Sequence, residues 1–141
     1  MLKSIMPEII NPTQSAFVTG RLISDNVLLA YEMHHVLKRR KGQNNGIFSL
    51  KLDMQKAYDR TEWGYLKGIL EKLGFPEAFI TQIMEYISSM SYSVIINGEE
   101  HGFLKPSRRL RQGDPLSPYL LILCTKGLIA QINEAIQFRA I

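Results

Sequence analysis

Residues 52–60 read LDMQKAYDR. The first three of them end a segment, 47–54, in which an apolar residue occupies every even-numbered position. Alternation of this kind predicts a β-strand with one apolar face, because successive side chains of a strand point to opposite sides. Asp53 therefore falls on the other face, at the C-terminal end of the predicted strand.

The carboxylate of Asp53 needs compensation, because burying an ionised group without a partner is costly. A magnesium ion is one candidate, since it takes one or two protein carboxylates and keeps its other positions for water and phosphate oxygens. Open solvent or an ion pair with a neighbouring cation would also compensate it, and the pattern leaves these alternatives open. The neighbouring cations are Lys51, Lys56 and Arg60.

Helical periodicity and turn signals predict the other elements. Asn97-Gly98 favours a type I′ hairpin, and Asp114-Pro115 favours a helix start with Asp as N-cap and Pro at the first position. The order is typical of an α+β fold with an antiparallel sheet. Two predicted helices run from Ser24 or Asp25 to about Arg40 and from about Thr61 to Leu73. Two more begin at Pro76 and at Asp114-Pro115. The hairpin strands cover Ser91–Ile96 and His101–Leu104.

Composition excludes several classes of protein. With 141 residues, 45% apolar and 21% charged, the chain is of ordinary globular composition rather than disordered. The net charge of +4 favours acidic partners, nucleic acid first among them. A single cysteine permits no internal disulfide. The longest apolar run, Leu120–Cys124, is far shorter than the ~20 residues of a membrane helix, so no membrane partner is expected.

Two further stretches carry chemistry-bearing residues. Residues 14–21 read QSAFVTGR, and residues 111–118 read RQGDPLSP. In the second stretch, Arg111-Gln112-Gly113 is polar and directly precedes a predicted helix N-terminus, where free backbone N–H groups suit a phosphate-bearing ligand. A capped helix start after a turn explains the same residues without any ligand.

In this order and at these spacings, the three stretches resemble the reverse transcriptase domain of non-LTR (LINE-type) retrotransposons, most closely the plant kind. The resemblance extends from about Lys3 to about Leu128. It implies part of a right-hand polymerase, with a fingers-side segment over 1–45, a palm segment over 46–141, and a small antiparallel sheet packed on helices. The parent enzyme would be an RNA-directed DNA polymerase that uses an RNA template, a DNA primer, dNTPs and two Mg²⁺ ions.

The resemblance also implies roles for single residues. Asp53 matches the first catalytic aspartate and metal ligand of the palm, and the backbone from Met54 to Tyr58 would lie beside the triphosphate. The Tyr58 ring would clash with a ribose 2′-hydroxyl and so select deoxynucleotides. Arg111, Gln112 and Gly113 are also expected to bind the nucleotide. The residues expected to bind the template are Gln14, Phe17, Gly20 and Arg21. For Gln14 and Phe17, a structural role is the alternative.

The chain departs from the family in ways that bear on activity. The second pair of catalytic aspartates, in a Phe/Tyr-Ala-Asp-Asp hairpin, is absent from the sequence, as is the upstream fingers segment. Asp53 alone cannot hold two metal ions, so the chain is expected to be inactive by itself. The family has glycine where Arg109 stands, and a positive φ there would strain the arginine by ~1 kcal/mol or more.

Two alternatives to a polymerase fragment remain open at this point. The first is a non-catalytic module that binds nucleic acid through a basic loop, Lys38–Lys41, together with Lys105, Arg108, Arg109 and Arg111. The second is a relic of a retrotransposon without a function of its own. An active parent element would act in the nucleus.

Overall fold

The computed structural model describes residues 2–39 and 49–138. They form two compact units, of which the first ends at Gln55 and the second begins at Lys56. The boundary lies inside the segment 46–141 that the sequence assigned to the palm. The division into fingers-side and palm segments remains a prediction.

The first unit contains two helices, α1 (Leu2–Ile9) and α2 (Ile23–Arg39). The sequence did not predict α1, whose residues Leu2 and Met6 are buried. It did predict α2, within two residues at its start, although α2 buries none of its residues. The rest of the basic loop expected at its end, Arg40 and Lys41, lies outside the described residues.

The predicted strand over 47–54 is not formed in the part that the structure describes. Residues 49–54 have no regular secondary structure, and Leu50 and Leu52 are 72% and 67% exposed. Residues 47 and 48 lie outside the described residues. The physical reason is that a strand's N–H and C=O groups need a neighbouring strand, and the described residues of this unit contain none. The predicted strand is therefore wrong for residues 49–54.

The second unit is built on four helices: α3 (Ala57–Arg60), α4 (Trp63–Lys72), α5 (Glu77–Ser88) and α6 (Ser117–Gln137). Helix α4 packs against both α5 and α6, and α3 contacts α6. The apolar faces predicted for α4 and α5 are the buried ones, because burial of these stripes is what holds a short helix in place. The fully buried side chains of this core include Leu66, Leu70, Ile80, Ile87, Leu110, Leu120 and Leu123.

Gly74 ends α4 as the sequence predicts. Its φ is +77°, a conformation that glycine adopts without steric cost. The N–H of Gly74 donates to the carbonyl of Glu71 at 3.0 Å, and the N–H of Phe75 donates to that of Leu70 at 3.1 Å. These bonds satisfy carbonyls that the helix end leaves open, and the chain is redirected toward Pro76, which directly precedes α5.

The start of α6 differs from the prediction. Asp114 does not cap the helix; its carboxylate accepts the N–H of Leu116 at 2.7 Å, and the helix begins at Ser117. Asp side chains favour such local turns, which compete with helix. The proline in the first turn is therefore Pro118 rather than Pro115.

Helices α4 and α6 meet closely at Gly127. A Cβ at this position would lie 2.6 Å from Cδ1 of Ile69 and would also clash with the Tyr65 hydroxyl. That hydroxyl donates to the carbonyl of Cys124 at 3.1 Å. Burial raises the pKa of the Cys124 thiol to about 12, so the cysteine is part of the helix packing and not a reactive thiol.

Helix α6 is also long and apolar enough, by length and composition alone, to cross a membrane. Core helices of water-soluble proteins, which are mostly buried, meet the same criterion, and in α6 22% of the apolar window is buried. The expectation that the chain has no membrane partner remains a prediction.

The hairpin consists of β1 (Tyr92–Ile96) and β2 (Glu99–Leu104), paired antiparallel with an irregularity between Tyr92 and Val94. Asn97 and Gly98 have φ values of +54° and +88°, which confirms the type I′ turn. The expectation that this sheet packs on helices is wrong for the second unit, where no described helix contacts either strand. Apolar side chains of the hairpin stay exposed, because two strands alone cannot cover one another's faces.

Candidate nucleotide and template site

The residues that the sequence predicts for the site divide between the two units. The first unit holds the predicted template residues and the predicted metal ligand, and the second holds most of the predicted nucleotide pocket. The residues of the first unit are Gln14, Phe17, Gly20, Arg21, Asp53 and Met54, and those of the second are Tyr58, Arg111, Gln112 and Gly113.

Arg21 organises the loop that follows α1. Its Nη1 donates to the carbonyl oxygens of Asn11 at 2.6 Å and Gln14 at 2.7 Å. Its Nη2 donates to those of Pro7 at 3.3 Å and Ile10 at 3.5 Å. A cation at the C-terminus of a helix is favoured by the unsatisfied carbonyls and the helix dipole. Arg21 thus has a structural role that the sequence reasoning missed.

Phe17 is the exposed member of the same loop. Its side chain is 57% exposed, and its φ of +59° places the backbone in the left-handed region. Gly20 has a φ of +80°. The Gln14 amide donates to the carbonyl of Ala16 at 3.4 Å, so it is engaged within the loop. An aromatic ring held outward by a folded loop is a suitable surface for stacking against a base.

Asp53 and Met54 lie on an exposed stretch. All residues from 49 to 56 are exposed, and Met54 is 49% exposed. Within the first unit, Asp53 forms no ion pair with Lys51. The Asp53 carboxylate is therefore open to solvent, and its role as a metal ligand remains a prediction.

A metal site needs more than this carboxylate. Across residues 2–39 and 49–138, no three His, Cys, Asp or Glu side chains are grouped so that they could hold a cation. Two divalent ions in one site require several shared oxygen ligands. The described residues therefore do not fit a two-metal centre.

Tyr58 is brought directly beside the predicted nucleotide-binding turn. Its carbonyl accepts the N–H of Leu110 at 2.8 Å, and the carbonyl of Thr61 accepts the N–H of Arg109 at 2.8 Å. An antiparallel bridge next to this pair extends the contact. Helix α3, which carries Tyr58, is thereby fixed to the residue that precedes Arg111.

The segment Arg111–Asp114 is a turn whose first three residues are exposed. Gly113 has a φ of +87°, so any other residue would be strained there. The N–H of Asp114 donates to the carbonyl of Arg111 at 3.4 Å, which closes the turn. An exposed cation and a glycine turn ahead of a helix form an arrangement that can receive a phosphate.

Asp114 is the buried residue that anchors this turn. It is 8% exposed, and its carboxylate accepts hydrogen bonds from the Tyr86 hydroxyl and the N–H of Leu116. The hydrogen bond to Asp114 raises the pKa of the Tyr86 phenol. A cavity of about 370 Å³ opens beside the pair, and Arg111 and Tyr92 belong to its lining.

Arg109 is the residue with the most unusual conformation. Its φ is +94°, as expected if the turn requires the glycine of the family. Its guanidinium lies 3.3 Å from the Asp59 carboxylate and 5.0 Å from the centre of the Tyr92 ring. Its carbonyl accepts the Trp63 indole N–H at 2.9 Å. Among the described residues, its buried Nε has no hydrogen-bond partner. The sequence signalled the strain but none of these contacts.

Comparisons with known proteins agree with the resemblance. The family described as "Reverse transcriptase (RNA-dependent DNA polymerase)" matches residues 1–141. An uncharacterized 149 kDa protein of transposon TX1 from Xenopus laevis is 35% identical over 133 residues, which cover 94% of this chain and 10% of that protein. A Pol polyprotein from the type-1 retrotransposable element R2 of Nasonia vitripennis is 24% identical over 126 residues, covering 89% of this chain and 12% of that protein.

A shorter match is closer in sequence. An uncharacterized mitochondrial protein of Arabidopsis thaliana, AtMg01250, is 71% identical over 41 residues, which cover 29% of this chain and 34% of that protein. The chain spans about a tenth of the length of the transposon TX1 and R2 relatives. No solved structure matched the chain.

Proposed function

Because this chain belongs to the reverse transcriptase family and is similar to Pol polyproteins of R2 retrotransposable elements, we propose that it supplies the nucleotide-facing and template-facing parts of an RNA-directed DNA polymerase. The observation that carries the proposal is the hydrogen bond from the N–H of Leu110 to the carbonyl of Tyr58, at 2.8 Å. It joins Tyr58, in the second motif stretch, to the residue that directly precedes the third stretch at Arg111.

The second unit would receive the incoming nucleotide. The exposed turn at Arg111, Gln112 and Gly113 would contact the triphosphate through its cation and backbone N–H groups. Tyr58 would place its ring under the deoxyribose and exclude a 2′-hydroxyl by contact. Residues of the first unit would take the other roles: Asp53 as catalytic carboxylate with Met54 beside the triphosphate, and Gln14, Phe17, Gly20 and Arg21 along the template.

Polymerases of this family use Mg²⁺, which would stabilise the charge that develops on the transferred phosphate. The resemblance assigns this purpose to a single residue, Asp53, and the described residues contain no group of three side chains that could hold a cation. We therefore assign no catalytic step to this chain alone, and we propose that residues 1–141 by themselves do not extend a primer. The chain would bind substrates without completing the reaction.

Photocrosslinking tests the proposed site. The chain is incubated with a primer–template and a photoreactive azido derivative of dATP, irradiated, digested and analysed by mass spectrometry. The expected label lies within residues 54–58 and 111–113, and excess dATP should remove it. Label that is spread over the surface, or that excess dATP does not reduce, would contradict the proposal.

Sugar selection tests the role of Tyr58 separately. Competition of the label by dATP should exceed competition by ATP, and Tyr58→Ala should reduce that preference because the ring is gone. Tyr58→Phe keeps the ring and should behave as the unmodified chain. Tyr31→Ala, at an exposed tyrosine of α2, controls for loss of an aromatic residue elsewhere. An equal preference in all four proteins would remove Tyr58 from the proposal.

A further inference from the structure

A second, largely open cavity lies beside the segment that pairs with α3. It has a volume of about 430 Å³ and is lined by Asp59 and by the consecutive residues 105–109. These residues read KPSRR and connect β2 to the bridge beside Thr61.

The cavity is lined by more positive charge than its own carboxylate can balance. Three cations, Lys105, Arg108 and Arg109, face a single anion, Asp59. Asp59 is already paired with Arg109 at 3.3 Å. Among the described residues, Lys105 and Arg108 form no ion pair. Two exposed cations therefore remain without an ion-pair partner in a shallow, open site that is also lined by Ser107.

The position of the cavity relates it to the proposed function. Arg108 and Arg109 belong to the segment whose next residue, Leu110, is bonded to Tyr58. Arg109 also stacks over Tyr92 at the base of β1. The cations are thus fixed to the same backbone as the nucleotide-binding turn, rather than carried by a loose tail.

We propose that this cavity binds the phosphodiester backbone of the nucleic acid that the polymerase copies or extends. The inference rests on the proposed function, and it adds a second anchoring point outside the three motif stretches that define the family resemblance. Lys105 and Arg108 would contact phosphate oxygens, and Ser107 would donate a hydrogen bond. Backbone contacts of this kind position a strand without reading its sequence.

Salt-dependent binding tests the inference. The full chain is titrated by fluorescence anisotropy into a labelled RNA–DNA primer–template at a series of salt concentrations. The double variant Lys105→Gln, Arg108→Gln should bind more weakly by about tenfold, and its log–log salt slope should be shallower by about 2, since each lost phosphate contact removes about 1 from the slope. The loss should be equal for unrelated sequences.

The matched control is Lys67→Gln, Lys72→Gln, which removes the same charge from α4 without touching the cavity. It should bind nearly as the unmodified chain does. Asp59→Asn supplies a test in the other direction, because removing the anion should tighten binding severalfold. Circular dichroism confirms that each variant is folded.

The possible results separate this inference from the proposed function. If the chain binds the primer–template but the double variant and its control lose affinity equally, the cavity is not a nucleic-acid site, while the crosslinking result for the motif stretches still stands. Inorganic triphosphate and an unlabelled oligonucleotide are also compared as competitors at equal phosphate concentration. If both displace the duplex equally well, the assignment of the cavity to a nucleic-acid backbone is overturned. Absence of any binding by the unmodified chain would overturn it as well.

Discussion

Leu52 and Leu110 occupy comparable positions in the sequence, each directly before a predicted functional residue. In the structure Leu52 is 67% exposed on a stretch without secondary structure, whereas Leu110 is 0% exposed and bonded through its backbone to Tyr58. The difference lies in the partners. Leu110 has α3 and the core of the second unit beside it, whereas the described residues of the first unit contain no strand with which the stretch around Leu52 could pair.

The contrast shows what an apolar pattern encodes. Alternation specifies which face of a strand is to be buried, but burial itself needs a second surface. A stretch with its partner is held in place, as Leu110 is by its backbone bond to Tyr58. A stretch without its partner keeps its carboxylate in solvent, as Asp53 does.

The largest test of this contrast is truncation of the two leucines. Leu110→Ala should reduce the free energy of unfolding by about 2–5 kcal/mol, because it opens a cavity in a closed core. Leu52→Ala should change it by less than about 0.5 kcal/mol, as is usual for exposed positions. Urea unfolding followed by circular dichroism measures both. Equal losses would show that Leu52 is packed in solution.

A glycine pair sharpens the comparison inside the second unit. Gly127→Ala should destabilise by about 1 kcal/mol, since overpacking against Tyr65 and Ile69 exceeds the gain in helix propensity. Gly68→Ala, where nothing lies within 4 Å of the added Cβ, should instead stabilise by up to about 1 kcal/mol. Thermal unfolding of both variants measures whether each substitution lowers or raises the stability. Stabilisation by both would mean that α4 and α6 are not in close contact.

Arg109 tests backbone strain at the junction. Arg109→Ala and Arg109→Gly both lose the contacts with Asp59 and Tyr92, so the difference between them reports the backbone alone. At a φ of +94°, the glycine variant should be more stable than the alanine variant by about 1 kcal/mol. Denaturant unfolding measures the difference, and two equally stable variants would place Arg109 in an ordinary conformation.

The smallest expected effect is a pH dependence at Tyr86. The hydrogen bond to Asp114 raises the pKa of the phenol in the folded chain. Its contribution to stability is therefore complete below the unfolded pKa of about 10 and is lost as the pH rises through the higher folded value. The stability difference between the unmodified chain and Tyr86→Phe should shrink above about pH 10. A difference that stays constant to higher pH would argue against the bond.

Much of the second unit could be predicted from the sequence, because its signals are local. The Leu66 and Leu70 spacing, the Asn97-Gly98 turn and Gly74 each specify conformation within a few residues. The family glycine at the position of Arg109 correctly indicated a positive φ. Helix α1 was missed because it is short.

The candidate site was less accessible to sequence reasoning, because its geometry depends on long-range contacts. Nothing local indicates that Arg21 would bond four carbonyls, or that the Tyr86 hydroxyl would reach Asp114. At Asp114 the local signal was ambiguous. An aspartate side chain suits a helix N-cap, but it also suits the turn that Asp114 forms with the N–H of Leu116 before the helix begins. The roles of Asp53 and Gln112 remain predictions that rest on the family.

Trp63 is the chain's single tryptophan, and its indole donates to the carbonyl of Arg109. Tryptophan emission is therefore a spectroscopic reporter of one junction, where α4 begins beside the strained arginine. The ellipticity of the chain, by contrast, includes α2 in the first unit. If the two signals lose their native values at different denaturant concentrations, the units unfold separately, and one unlabelled sample would reveal it.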